Sequence, residues 1–353
     1  MRILFALDAP PWPDSVNGAV ITIHEYAIEL IKLGHRVAVL GRFSPAGWHS
    51  LLLRVTAKAN GTGIAKETRA GYPIYRSWAV CEAASVVCAD FRPDVAVIFA
   101  GEMNPLAKAL AQSVQRIWLY HHSKSRFLDA SFQPSPAWGQ MACSSFIADA
   151  YAAEHGSRPA VIRPFIRREK YEVPKTGESV LFVNPIPDKG VDIALALAEH
   201  RPDVNFIFLE SWSISNDSRS RLKERTQRLK NLTWRRATSD MRAAFCSTRL
   251  VLVPSRWEEA WGRLPGEAYC SGIPVLASAI GGLRESVGSG GRLVSPQASV
   301  EEWLQHFSAI WDDQQAYAQY ARAARAMAED EGARPEVCAH RMLEVLGRTP
   351  SLR

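Results

Sequence analysis

Apolar residues follow two rhythms along this chain. Short unbroken runs, such as Ile3-Leu4-Phe5-Ala6-Leu7 and Leu250-Val251-Leu252-Val253, alternate with longer stretches in which apolar positions recur every three or four residues. Unbroken runs fit strands covered on both faces, and the longer period fits helices that bury one stripe. The spacing predicts a strand over residues 3–7, a Pro/Gly-rich loop over 10–18, a helix over 20–33 closed by Gly34-His35, and a strand over 36–40. That is a βαβ unit with a long first loop. Further strands are predicted over 74–78, 95–99, 116–120, 140–144 and 160–163, with helices over 82–90, 105–113 and 145–155. A charged stretch with Pro164 and Pro174, residues 163–179, reads as a linker between domains. A second alternation follows, with strands over 180–184, 205–210, 232–235 and 250–253 and helices over 191–199, 219–229 and 240–247. Residues 300–346 keep helical spacing without strands. The expectation is an α/β protein of two Rossmann-like, doubly wound domains, residues 1–165 and 166–334, whose strand-end loops face one central cleft.

Composition leaves this picture intact. The chain of 353 residues is long enough for two domains with their own cores, and 47% hydrophobic with 22% charged residues is ordinary for a globular protein. A net charge of +6 is too small for a nucleic-acid footprint, so no nucleic-acid partner is expected. Its densest basic run, residues 221–236, reads as a solvated face, with attraction to an anionic substrate or a membrane surface the alternative. Six scattered cysteines without C-x-x-C spacing read as buried free thiols of a reducing compartment. There is no apolar run of membrane-spanning length, and residues 1–8 read as a strand rather than a leader. A cytoplasmic protein is expected, with peripheral membrane contact left open.

The candidate chemistry concentrates in one block. After the strand Leu250–Val253 and Pro254-Ser255, Glu259 and Glu267 stand eight positions apart with Trp261-Gly262 between them. A helix start follows, then Gly272-Ile273-Pro274-Val275 leads into another strand. Strand, glycine loop and helix N-terminus place free amides and a helix dipole where an anion such as phosphate is welcome. Carboxylates there suit sugar hydroxyls. Two isolated glutamates at this spacing are as readily a helix-capping pair. Taken alone, Asp188-Lys189-Gly190 is an ordinary turn, and His121-His122 at the end of a strand fit a structural role. Asp312-Asp313 lies in a polar helical stretch, and no carboxylate pair is placed for a metal, so none is expected.

Together these residues resemble the donor-site signature of the retaining family-4 glycosyltransferases of GT-B fold. The match runs through Pro254-Ser255, Glu259, Trp261-Gly262, Glu267, Gly272-Ile273-Pro274-Val275 and Gly281-Gly282-Leu283-Arg284-Glu285, in order. The resemblance implies an enzyme moving a sugar from a nucleoside-diphosphate-sugar, UDP-sugar favoured, to a small-molecule, glycan or lipid-linked acceptor. The sugar nucleotide is a co-substrate, and no further cofactor is implied. Glu267 would accept from ribose hydroxyls, Glu259 would face the donor sugar, and the amides of Gly262, Arg263 and Leu264 would meet the diphosphate. Lys189 would place a positive charge on the leaving diphosphate, and His122, with His121 the runner-up, would hydrogen-bond the donor sugar or leaving group. The resemblance assigns the acceptor to residues 1–165, with the helix within 335–353 returning to them, and the donor to 166–334. Acceptor loops are expected over 10–18 and 42–63, with Trp12 and Trp48. Two positions depart from the pattern. The glycine pair after the first strand is reduced to Asn17-Gly18, where Asn17 would tolerate a positive φ. Asn184 stands where an arginine clamps the diphosphate, and Pro185 would hold it extended. The departure at Asn184 leaves room for a hydrolytic or non-catalytic sugar-nucleotide-binding protein, and the GT-B fold leaves room for a sugar-nucleotide epimerase.

Overall fold

The computed structural model describes residues 1–174, 177–211, 214 and 216–348. Residues 175 and 176 of the expected linker, residues 349–353 of the expected terminal helix, and the side chains of Arg221 and Lys223 in the basic run lie outside the described residues. The chain divides into two compact units, Met1–Phe165 with Pro335–Arg353, and Ile166–Arg334.

The first unit runs β1 (Arg2–Leu7), α1 (Gly18–Lys32), β2 (Arg36–Arg42), α2 (Trp48–Ala59), β3 (Ile64–Glu67), β4 (Ile74–Ser77), α3 (Val80–Phe91), β5 (Val95–Ala100), α4 (Met103–Ala111), β6 (Ile117–His121), α5 (Lys124–Phe127), β7 (Gly139–Ala142), α6 (Ser145–His155) and β8 (Ala160–Val161). Its sheet has the order β3-β4-β2-β1-β5-β6-β7-β8, parallel except for β3, which pairs antiparallel with β4 at one edge. The central strands are covered on both faces, which is why Ile3 to Leu7 are all fully buried. Asn17 does not use a positive φ. It is extended at φ −106° and caps α1, its Oδ1 accepting from the Val20 amide at 3.1 Å. Residues 42–63, expected to be an acceptor loop, are instead mostly α2. Leu53 and Ala57 bury one side of that helix with Phe43 and Ala65. Its apolar residues lie on two opposite sides, so no single stripe announces a helix.

The second unit runs β9 (Ser179–Val183), α7 (Val191–His200), β10 (Asn205–Leu209), α8 (Asn216–Thr226), β11 (Leu232–Arg235), α9 (Arg242–Phe245), β12 (Thr248–Val253), α10 (Arg263–Tyr269), β13 (Val275–Ser278), α11 (Leu283–Val287), β14 (Gly291–Val294), α12 (Val300–Trp311) and α13 (Gln314–Ala328). Its all-parallel sheet, β11-β10-β9-β12-β13-β14, reverses direction of winding between β9 and β12. Phe206, Phe208, Trp303 and Phe307 fill the core beneath one face. Two helices differ from expectation. α8 begins and ends earlier than 219–229, and α9 is a short piece of 240–247, preceded by a turn in which the Asp240 carboxylate accepts from the Arg242 amide at 3.0 Å. In the basic run, Arg236 bonds the buried carboxylate of Glu210 at 3.2 Å rather than only meeting solvent.

The segment after Phe165 is tied to the second unit and is not a free linker. Ser271 Oγ accepts from the Val173 amide at 3.0 Å and donates to the Tyr171 carbonyl at 3.1 Å. The last helix, α14 (Pro335–Gly347), belongs to the first unit and lies against α1. There the Leu346 carbonyl accepts from Arg116 Nη1 at 3.1 Å. Four cysteines are buried, but Cys81 and Cys246 are exposed, against expectation.

Candidate functional site

Open parallel sheets bind ligands beyond the strand ends where winding reverses. In the second unit that place lies at the ends of β9 and β12. The loop after β9 opens with Asn184, which is buried and has φ +65°, not extended as expected. Its amide donates to the Leu209 carbonyl at 2.7 Å, and its own carbonyl accepts from the Ile186 amide at 2.8 Å. Asparagine is one of the few residues that adopt this left-handed geometry at modest cost, so the tight turn over Pro185 outweighs the extended preference. A single 3-10 turn, Pro187–Lys189, follows and ends at Gly190.

Gly190 fastens this loop to the one after β12. It has φ +75°, and a Cβ there would lie 1.9 Å from the Pro254 carbonyl oxygen, so only glycine fits. The Asp188 carbonyl accepts from the amides of Arg256 at 2.9 Å and Trp257 at 3.0 Å. This backbone lock delivers the Lys189 ammonium onto Glu259 Oε1, and the Ser255 hydroxyl donates to the same oxygen at 2.9 Å. The lysine and glutamate side chains are 15% and 16% exposed, so the group is reachable yet largely shielded. Glu259 is held from behind as well. The Gly282 amide donates to its carbonyl at 2.7 Å, and a Cβ on Gly282 would lie 2.2 Å from the Ala260 carbonyl oxygen. The Gly281-Gly282 pair thus lets two backbones touch, which is its contribution to the motif.

Next along the chain, Gly262 caps α10. The amides of Arg263 and Leu264 lie in the first turn, where no carbonyl of the same helix can take them. Within α10, Arg263 Nε bonds Glu267 Oε1 at 3.3 Å, with the two side chains 10% and 12% exposed. The structure therefore brings Lys189, Glu259, Gly262, Arg263, Leu264, Glu267 and Asn184 onto the loops and helix start at one end of a single sheet. It also pairs Lys189 with Glu259 and Arg263 with Glu267. Neither pairing was expected. Ser255 was only part of the motif, with no role of its own, and its hydroxyl turns out to bond the central carboxylate.

Gly18, Asn17, His121 and His122 belong to the first unit. Gly18 is the first residue of α1. His121 ends β6 and is buried, with Nε2 on Gln140 Oε1 at 2.8 Å and its ring among Phe127, Phe132 and Tyr151. Burial pushes its pKa down to about 4, so it is a neutral structural base. His122 is half-buried, and burial likewise lowers its pKa, leaving a neutral imidazole just beyond the strand. Its Nε2 has no exposed surface and no hydrogen-bond partner among the described residues. Among the described residues, no three His, Cys, Asp or Glu side chains gather as metal ligands.

Residues 165–327, nearly the whole second unit, match the family model described as Glycosyl transferases group 1. No curated protein matches the chain in sequence. Solved structures match it over almost its full length. HepE from Anabaena, in complex with UDP and glucose, is 20% identical, with a TM-score of 0.75, covering 98% of this chain and 99% of its own. Sucrose-phosphate synthase from Thermosynechococcus elongatus is 15% identical, with a TM-score of 0.76 and 98% of each chain covered. A glycosyltransferase from Rickettsia africae is 14% identical, with a TM-score of 0.75, covering 98% of this chain and 97% of its own. Identities this low establish the fold alone. The chain has the GT-B fold of two α/β domains, and the stretch that resembles the group 1 glycosyl transferases lies in its second unit.

Proposed function

We propose that the protein transfers a sugar from a UDP-sugar to an acceptor hydroxyl with retention of anomeric configuration, without a metal, in the cytoplasm. The acceptor is a small molecule, a glycan or a lipid-linked sugar. One observation carries this reading: the Lys189–Glu259–Ser255 group sits where the winding of a parallel sheet reverses, beside a helix start bearing Arg263 and Glu267. A diphosphate oxygen beside Lys189 competes with Glu259 for the ammonium and draws positive charge onto the leaving group. Glu259 is then left to accept from hydroxyls of the donor sugar. Glu267 accepts from the ribose, and the amides of Gly262, Arg263 and Leu264 meet the diphosphate. His122, kept neutral by burial, donates or accepts a hydrogen bond at the donor sugar or leaving group. In the transfer, the bond from anomeric carbon to diphosphate oxygen breaks. A bond from the acceptor oxygen forms on the same face, and the acceptor proton passes to the departing phosphate. The UDP held by Anabaena HepE supports uridine as the base.

A second reading, a sugar-nucleotide-binding protein without transfer, is favoured by Asn184. A buried, neutral residue with a left-handed backbone stands where the resemblance puts a bidentate arginine. The deciding experiment incubates the protein with UDP-sugars and candidate acceptors and follows UDP release and product anomer by NMR. A glycosylated product of retained anomer, formed equally in EDTA, supports transfer. UDP binding without UDP release supports the binder, and release of an isomeric UDP-sugar supports an epimerase. Lys189→Ala is expected to slow turnover about 100-fold or more, the scale seen when one donor to a developing anion is removed.

A further inference from the structure

We propose that the outer face of α2 is a docking surface for an anionic lipid bilayer. The helix has two opposed apolar faces. Its inner face buries Leu53 and Ala57, and Ser50 Oγ anchors it by donating to the Ser44 carbonyl at 2.6 Å. The outer face is left bare. Trp48 is 83% exposed, Leu52 63%, Val55 57% and Leu51 42%. These positions recur at three- and four-residue intervals, so they form one continuous stripe rather than scattered residues. No other helix among the described residues exposes as many large apolar side chains.

Charge identifies the occupant. Arg54 and Lys58, one turn apart, border the stripe, and neither makes an ion pair among the described residues. Residues 30–66 contain no Asp or Glu; Lys32, Arg42 and Lys66 there pair with Glu29, Asp8 and Asp90, and Arg36, Arg54 and Lys58 make no ion pair among the described residues. A protein partner would need its own acidic rim, and a second copy of this face would bring cations of one sign together. A bilayer of anionic lipids answers both features at once. Its headgroups pair with Arg54 and Lys58, and its acyl boundary takes the Leu and Val side chains. Trp48 at the helix start has the amphipathic ring that favours the interface. α2 has only 12 residues, and no described helix is long and apolar enough to cross a membrane, so the helix lies on the surface.

The test is co-sedimentation of the full chain with vesicles of phosphatidylcholine alone and with roughly a quarter phosphatidylglycerol added. Binding to the anionic vesicles is expected, weakening with salt. Arg54→Gln with Lys58→Gln should lower the partition constant about five-fold per cation removed. Leu52→Glu with Val55→Glu should lower it at least about ten-fold while leaving the thermal midpoint unchanged, since both side chains are exposed. If the carboxylate variant unfolds, the glutamine variant decides alone. The proposal is overturned if the wild type stays in the supernatant, if it binds neutral vesicles equally, or if neither set of substitutions reduces binding. It is equally overturned if sedimentation equilibrium finds a dimer that Leu52→Glu splits, because a second copy then covers the stripe.

Discussion

His121 is held neutral by its surroundings, and that has a pH signature. Its pKa falls from 6.5 to about 4 on folding, chiefly because burial disfavours the imidazolium. Between those values the unfolded chain binds a proton that the folded chain refuses, so stability declines as pH falls from 6.5 toward 4, by about 3 kcal/mol in all. Denaturant titrations at neutral pH and near the lower value should show this loss in the wild type. His121→Gln should flatten that part of the curve, and a slope unchanged by the substitution would refute the assignment. In the second unit, Glu267→Ala is expected to weaken UDP binding about ten-fold or more, because the ribose loses its acceptor and the Glu267 bond that helps position Arg263 is removed. Calorimetric titration checks it, and unaltered affinity would remove Glu267 from the site. The motif made Glu259 and Glu267 visible in the sequence because their spacing to Trp261-Gly262 is local. The Lys189–Glu259 pair was not visible, since the partners are 70 residues apart and meet only through the fold. Nor was the geometry of Asn184, where local preference before proline yielded to a turn required by the neighbouring strand.

The edge of the first sheet is held by charge rather than by a large apolar cluster. Glu67 on β3 bonds Arg69 and the buried Arg76 of β4, and its Oε2 lies 2.8 Å from His49 of α2. Burial alone would raise the Glu67 carboxyl, but these partners bring it down from 4.5 to about 2. The stabilisation is therefore complete above pH 4.5 and disappears as pH falls toward 2. Hydrogen exchange should show β3 and α2 opening before β1 and β5 across that window, and simultaneous opening would contradict it. A different lock operates at the site. Gly190→Ala puts a methyl against the Pro254 carbonyl in a backbone region disfavoured for alanine, so the two loops must part. The expected result is roughly 2 kcal/mol or more of destabilisation together with loss of UDP affinity, although Lys189 itself is intact. Retained affinity at full stability would show that the lock is dispensable. Among elements, strands covered on both faces were legible because a short, unbroken apolar run between turn residues is at home in little besides the middle of a buried sheet. β14, with Val294 its single buried residue, offers no such run. α2 hides its helical period behind apolar residues on opposite sides.

At the scale of the whole chain, the two α/β sheets follow from two successive alternations of strand and helix, which is why the GT-B architecture could be expected before any coordinates. The acceptor could not, because its specificity depends on surface side chains that no hydrophobic period records. UDP at about 100 times its dissociation constant should stabilise the protein by about 2.7 kcal/mol. A thermal scan that fails to move would count against a UDP site. The path of the chain has a consequence for synthesis. The first unit is begun by residues 1–165 and finished only by α14, whereas the second unit is continuous from Ile166 to Arg334. Emerging from the ribosome, the second unit can close while the first still lacks the helix that lies on α1 and bonds Arg116. A nascent chain that has emerged only as far as Arg334 would therefore already hold a finished domain in an unfinished protein. The apolar face of α1 would stay open to chaperones until the last turns of helix arrive.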